Sequence, residues 1–223
     1  MLRLSLIPAL LLATAAAFAG EPLAIQDNSF LIEEAYNQEA NVVQHIFTYQ
    51  RAPGGSYAAT FTQEWPVTGI RHQLSYTLPY SGHGLDDVAV NYRYQLAGDG
   101  DSRLAIAPRL SYLVRDRAAQ INLPVSLVLS PRVVTHWNAG ATISRDEQTW
   151  SGGGSVIFAA LPKVHLMLEV FRDSDATLVS PGVRWAYDLP HHLQLVPGIA
   201  MPIDIRTHER SLFLYLSFEH PFR

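Results

Sequence analysis

The sequence contains no cysteine. That removes disulfide scaffolds, thiolate metal centres and cysteine nucleophiles together. Lysine is nearly missing too, since of sixteen basic residues Lys163 is the single lysine. Charged residues make up only 16% of the chain, against about 25% in an average soluble domain. Hydrophobic residues nevertheless stop at 48%, which is too many for a disordered tail. With 20 acidic residues against 16 basic ones there is no basic excess, so no nucleic-acid partner is expected. Past the N-terminus no apolar run approaches the roughly 20 residues of a spanning helix, which excludes a helical inner-membrane protein. At 223 residues, one domain with a sizeable core or a closed barrel is expected.

The first residues read as an export signal. Arg3 gives a short positive start, residues 4–17 are apolar, and Ala17-Phe18-Ala19 is an A-x-A cleavage site. Residues 1–19 are therefore read as a signal peptide and the mature chain as exported. Without cysteine, an exported protein takes its stability from the fold alone.

From residue 42 onward, hydrophobicity alternates. Val88, Val90, Tyr92, Tyr94 and Leu96 share one face of a strand, and Asn91, Arg93 and Gln95 share the other. Leu212, Leu214, Leu216 and Phe218 similarly oppose Phe213, Tyr215, Ser217 and Glu219. Side chains on a pleated strand point alternately to its two sides, so these are strands with one apolar and one mixed face. Twelve such runs are expected, at 42–50, 57–66, 71–79, 87–96, 103–113, 120–130, 132–143, 150–160, 164–171, 177–187, 192–203 and 210–220. Many exceed the five or six residues usual in soluble sheets and match the roughly 9–11 of a tilted membrane strand.

The connections alternate as well. Those at 65–69, 98–101, 130–131, 161–163 and 189–191 are tight and often carry proline. Those at 51–56, 81–86, 115–117, 145–147, 172–175 and 206–210 are mostly charged. An up-and-down meander puts the two sets at opposite ends, as in membrane barrels with short turns inside and longer loops outside. The expected fold is an all-β, antiparallel, up-and-down transmembrane β-barrel of about twelve strands occupying 42–223. A soluble sandwich or lipocalin-like barrel is the alternative, but it would bury its apolar face.

With the apolar face toward lipid, the lumen would receive Glu64, Arg71, Arg93, Arg109, His136, Asn138, His165, Glu169, Arg184 and Glu219. Such charges either brace the barrel as ion pairs or line a polar path. Trp65, Tyr112, Trp137, Trp150, Trp185 and Tyr187 are candidates for interfacial aromatic girdles. No catalytic constellation, cofactor or metal site is expected. His136 has no serine beside it in sequence, His191-His192 shows no third ligand, and Gly152-Gly153-Gly154 lacks the lysine of a phosphate loop. Residues 30–41 break the period-two pattern and are acidic. The segment 20–41 reads as a lead-in on the periplasmic side, with an extended plug or short helix as the alternative.

Residues 30–39 (FLIEEAYNQE), 42–45 (VVQH), 61–66 (FTQEWP) and 71–77 (RHQLSYT) resemble a bacterial family. It is the group of outer-membrane β-barrels named for the MetA pathway of phenol degradation. The motifs cover about 50 residues near the N-terminus, and general barrel character supports the rest. The resemblance implies an outer-membrane, transporter-like protein and supplies no catalytic residues. One departure is that Phe222 is followed by Arg223, where outer-membrane strands usually end on the aromatic. The expected function is a narrow channel for small solutes, aromatic or hydrophobic ones included. The expected partners are outer-membrane lipid, the barrel-assembly machinery and the solute. A non-conducting structural barrel, a lipid-active enzyme and a soluble periplasmic binding barrel are the alternatives.

Overall fold

The computed structural model describes residues 29–190 and 193–222. The signal-peptide segment and the His191-His192 pair lie outside the described residues.

The chain forms β1 (Val42–Arg51), β2 (Tyr57–Pro66), β3 (His72–Ser81), β4 (Gly84–Leu85), β5 (Ala89–Tyr94), β6 (Leu104–Ile106), β7 (Arg109–Leu113) and β8 (Ala118–Ser130). It continues through β9 (Val133–Ile143), β10 (Gln148–Leu161), β11 (Val164–Arg172), β12 (Thr177–Trp185), β13 (Tyr187–Leu189), β14 (Leu193–Ala200), β15 (Ile203–Asp204) and β16 (Leu212–Pro221). All pairings are antiparallel between chain neighbours until β16 returns to β1, with Phe47 opposite Leu216, and closes the ring.

The sixteen segments make twelve staves. β4 curls back on the end of β3, and three staves are each broken once. Two of the breaks fall at Pro108 and Pro202, which have no N–H to give the ladder. At the third, Ala186 leaves the strand line and its N–H goes to the Lys163 carbonyl. The expected runs at 103–113, 177–187 and 192–203 are thus single staves with interruptions.

Burial is inverted relative to a soluble protein. Leu110 is 54% exposed, Leu168 51% and Ile121 50%, while the alternate positions Ser111, Glu169 and Asn122 are buried. An apolar belt of this kind runs around all twelve staves. Exposed apolar patches on soluble monomers stay near a few hundred Å², so the belt requires a lipid solvent. The backbone agrees, because a closed ring leaves no edge to be satisfied in hydrocarbon. No helix among the described residues is long and apolar enough to cross a membrane.

The lumen is not empty. Residues 29–39 do not hang below the barrel as a periplasmic lead-in; they run inside it as an irregular strap. Asn41, with φ of 64°, then turns the chain into β1. That left-handed geometry suits asparagine better than a branched residue. Phe30 packs among Ile46, Phe213 and Tyr215 in the lumen, next to a group that includes Val134, Ile157, Met167 and Val196. Ala35 and Tyr36 pack against Ala105 and Ala107.

Candidate functional site

The strap is held by side chains of the wall. The N–H groups of Phe30, Leu31 and Ile32 all donate to Glu169 Oε1, at 3.0, 3.0 and 3.2 Å. Three converging amides form a small anion-binding nest, which is why a carboxylate serves as the anchor. Asn138 clamps the next residue from both sides: its Oδ1 accepts Glu33 N–H at 2.8 Å and its Nδ2 donates to the Glu33 carbonyl at 2.8 Å. Ala35 N–H donates to Ser126 Oγ, Asn37 N–H to Gln95 Oε1, and Gln38 N–H to Gln73 Oε1. Gln38 Nε2 reaches Gln44 Oε1 at 2.7 Å. Read along the strap, the receiving side chains step from β11 through β9 and β8, then Gln95 just past β5, to β3 and β1. The strap therefore follows the inner wall around the lumen.

This pattern has a chemical logic. A segment without a pleated partner keeps every backbone donor and acceptor, and burying them unpaired is costly. Glutamine and asparagine carry both a donor and an acceptor, so one side chain serves both needs. Gln95 illustrates this, accepting from Asn37 N–H while donating to the Ala35 carbonyl at 2.7 Å.

Arg93 is the electrostatic centre. It is 2% exposed and donates to Asn37 Oδ1, to the Glu34 carbonyl and, at 2.6 Å, to the Tyr36 carbonyl. It also pairs with Glu33 at 3.3 Å, Glu34 at 3.5 Å and Glu64 at 3.7 Å. Arg109 approaches Glu33 from the other side at 3.2 Å, so Glu33 sits between two guanidiniums. Burial first, then Glu34 and Asp99, push the Tyr36 phenol well above its ordinary range. Its neutral hydroxyl donates to the Ser102 carbonyl.

Of the ten residues expected in the lumen, the structure brings Glu64, Arg93, Arg109 and Asn138 into one cluster around the strap. Glu169 holds the strap's first turn, and Glu219 accepts from Gln44 Nε2. Arg184 is fully buried, with its guanidinium carbon 5.2 Å from the centre of the Tyr215 ring. His136 and His165 are buried as well. Arg71 is not brought in; it lies exposed in the turn before β3. Glu33 and Glu34, placed by sequence in a segment outside the wall, complete the cluster instead.

A serine does stand beside His136, contrary to the reading from sequence neighbours. Antiparallel register sets Ser126 opposite it, with Oγ 2.7 Å from Nδ1. Both residues are fully buried and Ser126 Oγ already accepts the Ala35 N–H, so the pair is a strap fastening. Register across strands is invisible in a linear sequence. Alternation puts Gln95 on the mixed face, but nothing in it says what that residue, or Gln44 and Gln73, would hold.

Among the aromatics, Trp65 ends near one rim together with Trp185 and Tyr187, and Lys163 Nζ lies 6.0 Å from the Tyr187 ring centre. Tyr112 and Trp150 lie toward the charged-loop rim. Trp137 stands at mid-strand, where a Cβ on Gly154 would come within 2.7 Å of its ring. Glycine there lets the indole lie flat on the wall.

Glu169 gives a direct test of the strap's anchoring. Glu169→Leu removes the acceptor for three amides and should free residues 29–32 while the ladders persist. A spin label at position 29 would report the gain in mobility, and an unchanged spectrum would contradict the anchoring.

No family model matches the chain and no curated protein is similar to it in sequence, so the phenol-degradation resemblance rests on the N-terminal motifs alone. Solved structures do share its fold. The KdgM porin matches with a TM-score of 0.57 and 8% identity, over 81% of this chain and 99% of that one. The KdgM porin in complex with disordered oligogalacturonate gives 0.58 and 10%, over 82% and 99%. The NanC porin gives 0.58 and 8%, over 80% and 100%. At such identities the likeness is one of fold: a closed, antiparallel twelve-stranded barrel.

Proposed function

We propose that the protein is an outer-membrane channel for small solutes whose lumen its own N-terminal strap holds closed. The observation that carries this reading is the way the strap is bound. Among the described residues its hydrogen bonds to the wall, as at Glu169, Asn138, Ser126, Gln95 and Gln73, each use a side chain, so it can leave without breaking a β-ladder. Ordering each strap residue costs about 1–2 kcal/mol of backbone entropy, a cost that opposes the fastenings and is recovered on release. The apolar belt and closed ring support placement in the outer membrane, with the charged loops outside and the proline turns in the periplasm. Trp65, Trp185 and Tyr187 would then mark one interfacial layer, and Tyr112 and Trp150 the other.

The full mature protein in planar bilayers should give rare, brief openings separated by long closed periods. Complete silence would favour a structural barrel braced by the Arg93 cluster. Arg109→Ala leaves Glu33 with one guanidinium in place of two, so open events should become more cation-selective, read as a shifted reversal potential in a KCl gradient. The protein should also require detergent for extraction and migrate faster on gels before heating than after.

A further inference from the structure

A cavity of about 290 Å³ lies in the lumen on the charged-loop side of the strap. Residues 29–33 of the strap form its floor. Around the ring its wall changes character. From β11 through β16 to β1 it is apolar, with Phe171, Tyr215, Ile46 and the strap's Phe30. From β1 through β10 it is polar, with Thr48, Thr60, Thr62 and Thr77, and it carries Glu64 and Arg109, which with the strap's Glu33 sum to one negative charge.

The threonines form two cross-strand pairs. Thr48 and Thr60 hydroxyl oxygens are 2.6 Å apart, and those of Thr62 and Thr77 are 2.9 Å apart. Two hydroxyls hold two protons and their mutual bond uses one. Each pair therefore keeps a donor and several lone pairs for a solute. The charges in and below the cavity are already paired: Arg93 and Arg109 face Glu33, Glu34 and Glu64, with Glu33 bridging both guanidiniums. Two cations against three carboxylates leave no positive excess to hold an acid.

We infer that this vestibule binds an uncharged ring bearing several hydroxyls, of monosaccharide size, with its apolar face on the Phe30–Tyr215 side and its hydroxyls on the threonine pairs. The volume sits at the small end of ligand pockets, which run from about 300 to 1,000 Å³. The inference rests on the channel reading for its purpose but not for its test. It also sets this lumen apart in chemistry from the porin solved with oligogalacturonate, a polyacid.

The test uses the full mature protein in detergent with D-galactose and D-galacturonate as probes, read by saturation-transfer NMR and titration. Galactose should bind, and galacturonate should bind no tighter. Thr62→Val with Thr77→Val keeps shape while removing both hydroxyls, and should weaken galactose binding at least tenfold. Its heat-modified gel shift should be unchanged, which separates loss of the site from loss of the fold. Tighter binding of the acid, no saturation transfer to galactose, or full binding by the valine variant would each overturn the assignment. Galactose binding by a protein that never conducts would sink the channel reading alone. Conductance without galactose binding would sink only this inference.

Discussion

A protein carrying Ser29→Cys and Ser155→Cys should be electrically silent when oxidised and should regain the wild-type openings on reduction. Ser29 Oγ donates to Ser155 Oγ at 3.0 Å, one on the strap and the other on β10. A disulfide needs its Cβ atoms about 3.5–4.5 Å apart, and side chains whose oxygens already touch meet that with little movement. The chain has no cysteine of its own, so the engineered bridge is the only one that can form. The bridge fastens the strap's far end to the wall. If the strap must leave for solute to pass, the effect is close to complete loss of conductance, recovered on adding a reductant. Equal conductance in the oxidised and reduced states would show that ions pass beside a seated strap, and the closure proposal would fail.

Arg93→Ala is expected to have the second largest effect. Its guanidinium joins three strap residues by hydrogen bonds and three carboxylates by charge, all in a site closed to solvent. Removing one member of a buried ion cluster costs about 3–5 kcal/mol, because the remaining charges lose their counterpart. The barrel wall does not depend on this residue, but the strap does. The variant should keep its barrel migration on gels, become sensitive to protease within residues 29–39, and conduct far more often than wild type. Arg93→Lys should behave much like the alanine variant, since an ammonium group cannot span the several acceptors that a planar guanidinium reaches. A protected strap and wild-type conductance in Arg93→Ala would show that the amide handles suffice alone.

A packing test complements these. At Gly198 an added Cβ would lie 2.6 Å from Arg184 Cγ and 2.8 Å from the Phe30 ring. Gly198→Val should therefore displace Phe30 and raise the frequency of opening, with a smaller effect than the loss of Arg93.

The small residues on the lumen face show where sequence reasoning stops. Along the strands, Ala105, Ala107, Gly153, Gly182 and Gly198 are only small residues on the mixed face. In the structure they make room for the strap: Ala105 and Ala107 for Ala35 and Tyr36, Gly153 for Ile32, and Gly182 and Gly198 for Phe30. The motifs behind the family resemblance fall in the same place, since 30–39 is the strap, Gln44 and Gln73 bind its Gln38, and Glu64 pairs with Gln73 and Arg93.

Alternation of faces is a local property, set by the pleat and readable residue by residue. The amino-acid sequence by itself therefore determined the twelve staves, their two kinds of connection and the apolar outer face. The path of residues 29–39 is not local. It depends on which side chains the closed ring brings within reach across as many as 139 positions, as between Phe30 and Glu169. The same is true of Ser126 beside His136 and of Glu33 between two arginines. Only the tertiary structure decided that the lumen is occupied, because occupancy is settled by contacts that exist only once the barrel has closed.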